Sequence, residues 1–324
     1  MYKITNGTAV KFHSTTFSDI AYKESDVEEL LRKNIDMICD EEESMLIVGK
    51  QVRNAQRGIS DLTAVDNKGN IVLVEIKRDR KDIEGRREAF EFQAIRYAAS
   101  YATIGDPEDL VNKIYAPYIE KHRHEFKDST LTSAELGARK LTEFLMENGA
   151  ESDFNEKQRI VLVASDFDEQ TLSAVAWLNS NNVDISCYKM IPYILNGEMY
   201  IDIDKILPVN SNKDYYVNFL ESTIKSSTQK KSITRRNLPK IDEMLGWGVV
   251  KEGDVIIAKG REEEAILLES GNVEVNGEET SLQKWLREVF GWSSIQTYTF
   301  SIHKATGKSL SQLREEYMKT EQQL

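Results

Sequence analysis

Residues 58–79 read GISDLTAVDNKGNIVLVEIKRD, and this stretch decides the fold. Two apolar runs flank the turn sequence NKGN (67–70), which predicts a β-hairpin. The second run, 70–77, is aliphatic on both of its faces and is therefore expected to be buried. It nevertheless carries Glu75 and Lys77, which point to the same face because side chains two apart in a strand do so.

A second carboxylate lies on the first strand of this hairpin. The turn brings Asp61 across from Glu75, and two converging carboxylates repel each other unless a cation lies between them. Oxygen ligands favour Mg²⁺ or Mn²⁺, and the carbonyl of Ile76 is a further oxygen. Lys77 would then hold a water or stabilise a phosphate. The alternative is an ordinary ion pair, because Glu-x-Lys is common on surface strands.

Helix and strand patterns alternate through the first 200 residues, which predicts an α/β domain. A strand, a helix and a second strand follow one another after residue 158 and favour a parallel crossover. Ser25 and Glu28 have the spacing of a capping box at the start of the first helix. The predicted elements are helices at 25–38, 86–103 and 169–182, strands at 45–52, 59–66, 70–77, 159–167 and 183–190, a hairpin around 196–197, and a charged helical insertion at 108–150.

The composition is that of a globular chain of 324 residues, with 40% apolar and 30% charged residues. No apolar run is long enough to span a membrane, and the N-terminus lacks the pattern of a signal peptide. Cys39 and Cys187 are isolated and predicted to be buried, reduced thiols, so a cytoplasmic protein is expected. The net charge of −12 argues against coating nucleic acid by charge alone, but is compatible with a local basic face.

Downstream of the hairpin, Gln93 and Tyr97 have the i, i+4 spacing that places them on one face of a helix. GISD (58–61), EIK (75–77) and QAIRY (93–97) together resemble the PD-(D/E)XK nuclease superfamily, in the subgroup marked by Q-x-x-x-Y. Within it, the segment from Asp66 to Arg78 resembles the NucS-type endonuclease catalytic domain.

The resemblance implies a restriction-endonuclease-like mixed sheet flanked by helices, over residues 1–215. It implies a metal ion on Asp61, Glu75 and the Ile76 carbonyl, with Lys77 acting on the water or the transition state. Gln93 and Tyr97 would support the metal site or contact the phosphate backbone.

Residues 24–28 resemble the first helix of this family, and its glutamate falls on Glu24. The alternative for Glu24 is an acid placed at a helix N-terminus by the macrodipole. The chain departs from the NucS pattern in two respects. Its spacer from Lys77 to Gln93 is longer and more charged, and the family's N-terminal DNA-binding domain is absent. Mismatch-specific cleavage is therefore not carried over.

Basic residues close to the motifs are candidates for phosphate contacts. Acidic residues are interleaved with those that follow Lys77, so an ordinary solvated loop is the alternative. The linker at 216–240 is basic and is either a DNA-binding arm or a tether. The candidates are Arg53, Arg57, Arg78, Arg80, Lys81, Lys230, Lys231, Arg235 and Arg236.

Residues 241–324 form a second predicted domain, with a short helix, glycine-turned strands, the helix SLQKWLREVF, an aromatic strand TYTFSI (297–302) and a final helix. Its motif residues are GD (253–254), EA (264–265), SGNV (270–273), NGE (276–278), SL (281–282), Trp285, Gly291 and Tyr298. This arrangement resembles the RAMA-like modules, which implies a reader of modified DNA. The alternative is a small α+β domain for protein contacts, with Trp285 and Tyr298 in its core.

These observations predict a Mg²⁺-dependent endonuclease that hydrolyses DNA phosphodiester bonds, in restriction, phage defence or repair. Because cutting both strands of a duplex requires two sites, a homodimer is expected. Two alternatives stay open: a catalytically silent nucleic-acid or modified-DNA binding protein, and a nuclease that acts on RNA.

Overall fold

The computed structural model describes residues 2–11, 13–55, 58–84, 88–126, 130–208 and 238–321. The chain divides into two compact units. The first contains residues 1–38 and 47–230, and the second contains residues 39–46 and 231–324. Among the described residues, no helix combines the length and apolar character needed to cross a membrane. Most of the predicted linker, 216–237, lies outside the described residues.

The first unit is built on a mixed six-stranded sheet in the order β3-β4-β5-β6-β7-β8. The β4–β5 and β7–β8 pairs are antiparallel, while β6 is parallel to both β5 and β7. A separate antiparallel hairpin, β1–β2, was not predicted. The strands are β1 (Tyr2–Thr5), β2 (Thr8–Lys11), β3 (Met45–Arg53), β4 (Ile59–Asp66), β5 (Ile71–Lys77), β6 (Gln158–Ala164), β7 (Ile185–Leu195) and β8 (Glu198–Leu207).

The predicted β4–β5 hairpin is confirmed, and its turn shows why. One carboxylate oxygen of Asp66 accepts hydrogen bonds of 2.9 Å from the backbone N–H groups of Lys68 and Asn70. Gly69 adopts a φ of 79°, a conformation that favours glycine. All seven residues of β5 are buried, as expected of a strand with a neighbour on either side and helices above it.

Helices cover this sheet and form the predicted charged insertion. They are α1 (Glu24–Lys33), α2 (Arg80–Glu84), α3 (Phe90–Tyr101), α4 (Pro107–Leu110), α5 (Ala116–Lys121), α6 (Ser133–Asn148) and α7 (Glu169–Ser180). Short 3₁₀ or π turns follow at 35–38, 111–115 and 123–125. Because α7 joins the adjacent parallel strands β6 and β7, the predicted crossover is confirmed, as is the mixed α/β fold class.

The second unit contains a six-stranded antiparallel sheet in the order β12-β11-β10-β9-β13-β14. Its elements are α8 (Ile241–Gly246), β9 (Val255–Ala258), β10 (Glu264–Leu267), β11 (Val273–Val275), β12 (Glu278–Thr280), α9 (Leu282–Phe290), α10 (Thr297–Phe300), β13 (Ser301–His303), β14 (Lys308–Ser309) and α11 (Leu310–Glu321).

Two features of the second unit differ from the sequence prediction. The segment TYTF (297–300) is a helical turn, because the backbone N–H of Phe300 bonds to the Gln296 carbonyl, and the strand is confined to β13. Residues 39–46 also belong to this unit: Glu42 pairs with the buried Arg314, whose guanidinium lies 4.5 Å from the ring centre of Tyr298. No local pattern indicates a contact so distant in sequence.

The placement of Trp285 and Tyr298 in the core of the second unit, given above as the alternative interpretation, agrees with the structure. Trp285 and Tyr298 are buried, as is Trp292, whereas Trp247 is half-buried and stacks on Tyr317 with 4.5 Å between ring centres. The resemblance to modified-DNA readers stays a prediction.

Candidate metal centre

The two strands of the hairpin bring the predicted motif residues to one place. In the β4–β5 register Leu62 lies opposite Val74, so the next position places Asp61 beside Glu75. Glu75 and Lys77 lie at the end of β5, where the strand also pairs with β6. The side chains of all three residues are buried, with exposures of 7% or less.

Asp61 is held by two donors from neighbouring strands. Its Oδ2 atom accepts a 2.8 Å hydrogen bond from the backbone N–H of Ile76, and its Oδ1 atom accepts one of 3.3 Å from the side-chain amide of Gln51. Burial raises the pKa of Asp61 to about 7, although the Lys77 ammonium and the Ile76 N–H oppose that rise. The nearby carboxylates of Glu28 and Glu24 raise the pKa further.

The Lys77 ammonium lies among the oxygens that were predicted to bind the metal. Its Nζ atom is 2.6 Å from the Ile76 carbonyl oxygen, 3.5 Å from Glu75 Oε1 and 3.9 Å from Asp61 Oδ2. Glu24 Oε1 is 3.3 Å away, which places the predicted Glu24 in the same cluster. The cluster therefore forms an environment that accepts a cation.

Helix α1 contributes two carboxylates, of which the sequence analysis assigned only one to the site. Oxygens of Glu24, Glu28 and Asp61 all lie within 4.8 Å of one another. Glu28 is buried, and its burial raises its pKa, partly offset by a hydrogen bond with Gln51. Glu75 is not in this group and reaches the cluster through its contact with Lys77.

The predicted capping box of Ser25 and Glu28 is wrong. Helix α1 begins at Glu24, and the backbone N–H of Lys23 donates to the Asp26 carboxylate at 2.8 Å. The N-cap is Lys23 rather than Ser25, and Glu28 lies inside the helix, one turn after Glu24, where it is buried. The i, i+4 spacing of these two acids is the signal that could have identified Glu28 as a site residue.

Gln93 and Tyr97 lie on one face of α3, as predicted, and contact each other. The Gln93 side-chain amide donates to the Tyr97 hydroxyl at 3.2 Å, which also accepts from the backbone N–H of Ile59 at 3.2 Å. Gly58 lies against the Tyr97 ring: a Cβ added there would be 2.5 Å from Tyr97 Cε1. The pair therefore holds the start of β4, the strand that carries Asp61.

Tyr101, one turn further along α3, was not predicted as a site residue. Its hydroxyl lies 2.6 Å from both Ser60 Oγ and Thr63 Oγ1, on either side of Asp61 in the chain. Burial raises the pKa of Tyr101, and the carboxylates of Glu75 and Asp61 raise it further. The tyrosine at i+8 from Gln93 is the extension of the Q-x-x-x-Y pattern that would have indicated it.

The predicted phosphate contacts divide into three groups. Arg78 lies 3.1 Å from Asp82, and Arg80 lies 3.2 Å from Asp166, so both are paired with acids. Arg53 and Lys81 are exposed. The remaining candidates lie outside the described residues: Arg57, Lys230, Lys231, Arg235 and Arg236.

The donor set fits a hard divalent cation. Carboxylates of Glu24, Glu28 and Asp61 and the carbonyl of Ile76 are all oxygen ligands, which Mg²⁺ and Mn²⁺ prefer over softer metals. Lys77 supplies a positive charge at the same point. The residues therefore suit the predicted Mg²⁺ or Mn²⁺.

Comparison with protein-family models, curated proteins and solved structures finds no significant match to this chain. The functional interpretation accordingly depends on the residues of the site and on their geometry.

Proposed function

We propose that this chain is a Mg²⁺-dependent nuclease that hydrolyses phosphodiester bonds in DNA. One observation carries the proposal: Glu24, Asp61, Glu75 and the Ile76 carbonyl surround the Lys77 ammonium at the end of β5. Carboxylates can hold a metal that polarises the phosphate and activates the attacking water, and a cation can stabilise the charge that develops on the phosphate. The setting in restriction, phage defence or repair rests on the motif resemblance alone.

The metal ligands in this proposal are three side chains and one backbone carbonyl. Glu24, Glu28 and Asp61 would hold the metal together with the Ile76 carbonyl. When bound, Mg²⁺ supplies Lewis-acid stabilisation of the charge that develops on the phosphate. The hydrogen bond from the Ile76 N–H fixes the orientation of the Asp61 carboxylate.

Lys77 acts as the positive group beside the reacting phosphate. Its ammonium lies 5.4 Å from the ring centre of Phe90, and its side chain is 1% exposed. In such a dry environment the charge interacts more strongly with a phosphate oxygen or an attacking water than it would in solvent.

One feature favours a second candidate, a nucleic-acid-binding protein without catalysis. The Lys77 ammonium already neutralises part of the acidic cluster, as a purely structural ion cluster would. Such a protein would bind nucleic acid and leave it intact in the presence of metal. A nuclease acting on RNA would use the same side chains, and only the choice of substrate distinguishes it.

The test is incubation of the purified chain with plasmid, linear duplex, single-stranded DNA and RNA, in Mg²⁺, Mn²⁺ or EDTA. Asp61→Ala and Lys77→Ala are compared with Asp184→Ala and Lys157→Ala, which change exposed residues of the same type. We expect cutting that requires metal, Asp61 and Lys77. Binding without cutting would support the second candidate, and cutting by the Asp61 and Lys77 variants would exclude this site.

DNA from adenine- or cytosine-methylating hosts is included among the substrates. A dependence of cutting on methylation is the result expected if the second unit reads modified DNA.

A further inference from the structure

A cavity of about 1050 Å³ lies within the first unit, and its lining includes a residue next in sequence to Asp61. Its walls are the end of β3, the start of β4, the second half of α3 and the π turn at 111–115. Ser60, which precedes Asp61 in the chain, lines it, as do Tyr97 and Tyr101. We call it the Arg53 cleft.

The Arg53 cleft is lined by three cations, two of which are paired with acids outside its walls. Arg53, Arg96 and Lys113 line it, and among the described residues that form its walls none is Asp or Glu. The whole chain has a net charge of −12, so a wall without acidic residues differs in charge from the average surface of the protein. A local concentration of positive charge attracts phosphates even when the net charge repels them.

The cations are accessible to a ligand. The side chains of Arg96 and Lys113 are 69% and 60% exposed, and their present partners are Glu88 at 2.6 Å and Asp109 at 2.7 Å. Exposed ion pairs of this kind contribute little free energy, so a phosphate can replace the carboxylate at low cost. Arg53 is exposed at the end of β3.

The rest of the cleft lining mixes apolar and polar groups. Val52, Ile104, Ile114 and the half-buried ring of Tyr97 contribute apolar surface, and polar side chains come from Asn54, Ser60, Ser100 and Thr103. A concave surface of this composition suits the unstacked bases and sugars of a single strand, with cations along the backbone. A duplex is a wide, convex rod with its bases turned inward, and it does not present bases to such a cleft.

We propose that the Arg53 cleft binds a short single-stranded segment of nucleic acid next to the phosphate that is cut. Its place in the reaction rests on the proposed nuclease function, but the binding itself does not, because it can be measured without metal. Arg53, Arg96 and Lys113 would contact the phosphates, and Tyr97 would stack on a base.

The experiment measures binding of a fluorescent oligo(dT) and of a hairpin duplex by anisotropy, in EDTA so that nothing is cut. The triple variant Arg53→Ala, Arg96→Ala, Lys113→Ala is compared with Lys3→Ala, Lys121→Ala, Lys157→Ala. The second triple removes the same charge from exposed positions outside the cleft. Circular dichroism confirms that both variants fold, and Lys113→Glu, a single exposed change, provides a second test.

We expect oligo(dT) to bind more tightly than the duplex, and the cleft triple to lose about 10-fold or more in affinity. The slope of log affinity against log salt concentration should decrease by about 2, since three phosphate contacts are lost and each single-strand contact contributes about 0.7 to that slope. The control triple should stay within about 2-fold of the wild type. The Lys113→Glu variant should bind more weakly than Lys113→Ala.

Equal losses in the two triples, or a preference for duplex, would overturn the proposal. So would displacement of oligo(dT) by free mononucleotides at equal nucleotide concentration, because the cleft would then be a pocket for a small nucleotide. Single-strand binding without any metal-dependent cutting leaves this proposal standing and removes the nuclease function. Metal-dependent cutting without a preference for single strands would support the nuclease function and overturn the proposal for the cleft.

Discussion

The backbone N–H of Ile76 donates a 2.8 Å hydrogen bond to the carboxylate of Asp61, across the gap between β5 and β4. At this point the Asp61 side chain accepts a hydrogen bond that a backbone carbonyl of β4 would accept if the regular β4–β5 pairing continued. The N–H and C=O of one strand residue point toward the same neighbour. The Ile76 carbonyl therefore also faces Asp61, where Lys77 Nζ contacts it at 2.6 Å. One hydrogen bond thus sets the positions of two oxygens of the site.

The titration of Asp61 should make the stability of the metal-free protein depend on pH. Burial raises its pKa to about 7, well above its value of about 4 in an unfolded chain. Between these pH values the folded state keeps a proton that the unfolded state has released. The free energy of unfolding therefore falls as pH rises from about 4 to 7.

The Asp61→Asn variant can still accept the Ile76 hydrogen bond but does not titrate. Its stability relative to the wild type should rise between pH 4 and pH 8, by up to about 4 kcal/mol. Urea unfolding in EDTA across this range measures the difference, with the exposed Asp184→Asn as control. A difference that does not change with pH would show that Asp61 is ionised throughout.

Glu28→Gln should have opposite effects on stability and on metal binding. Burial raises the pKa of Glu28, so its ionised form destabilises the metal-free protein at pH 8, and the substitution should increase the free energy of unfolding there. The same substitution removes a carboxylate from the cluster and should weaken Mn²⁺ binding by about 10-fold or more.

Calorimetric titration with Mn²⁺ and urea unfolding in EDTA separate the two effects of this substitution. Glu151→Gln, an exposed change, is the control for both. An unchanged Mn²⁺ affinity alongside increased stability would mean that Glu28 is buried for another reason and is not a ligand.

The parts of the site that could be predicted are those with local periodicity. Asp61, Glu75 and Lys77 were identified because a buried hairpin with period-two alternation fixes which side chains share a face. Gln93 and Tyr97 were placed on one helix face by the spacing of four. Glu28 was missed because it was assigned to a capping box with Ser25, whereas the helix is capped through Lys23 and Asp26.

The other omissions involve contacts between residues far apart in the chain. Tyr101 contacts Ser60 and Thr63 about forty positions away, and the pairing of Glu42 with Arg314 spans most of the chain. Such contacts depend on how elements pack, and neither turn residues nor hydrophobic periodicity encodes them. The helical turn at 297–300 was read as a strand because its aromatic residues also favour strands.

Gly58→Ala should disturb the start of β4 through a collision with Tyr97. The added Cβ would lie 2.5 Å from Tyr97 Cε1 and 3.2 Å from the side chain of Asn54. We expect a loss of about 1–3 kcal/mol in unfolding free energy, the usual cost of overpacking. Cleavage should slow by about 10-fold or more, because the shifted strand carries Asp61.

The Tyr97→Ala background tests this explanation of the Gly58 effect. There the added methyl meets no ring and only the Asn54 side chain lies close to it, so Gly58→Ala should cost less than in the wild-type background. Gly105→Ala is the matched control, since a Cβ at Gly105 has no atom within 4 Å. Equal costs in the two backgrounds would place the strain elsewhere.

Tyr101→Phe should loosen the connection between α3 and β4. The tyrosine hydroxyl lies 2.6 Å from both Ser60 Oγ and Thr63 Oγ1, and all three residues are buried. Removing it leaves two buried hydroxyls without this partner, which costs about 1–3 kcal/mol. Because the effect acts through the position of Asp61, kcat should fall by about 10-fold or less, with KM unchanged.

A hydrogen-bond origin can be separated from a packing origin by a second substitution. In a Thr63→Val background only the Ser60 hydroxyl loses its partner, so Tyr101→Phe should lower the free energy of unfolding by less than it does in the wild type. Urea unfolding measures both costs, and Tyr200→Phe, at an exposed tyrosine on β8, should change stability by less than about 0.5 kcal/mol. Additive costs would show that the Tyr101 ring, rather than its hydroxyl, holds the strand.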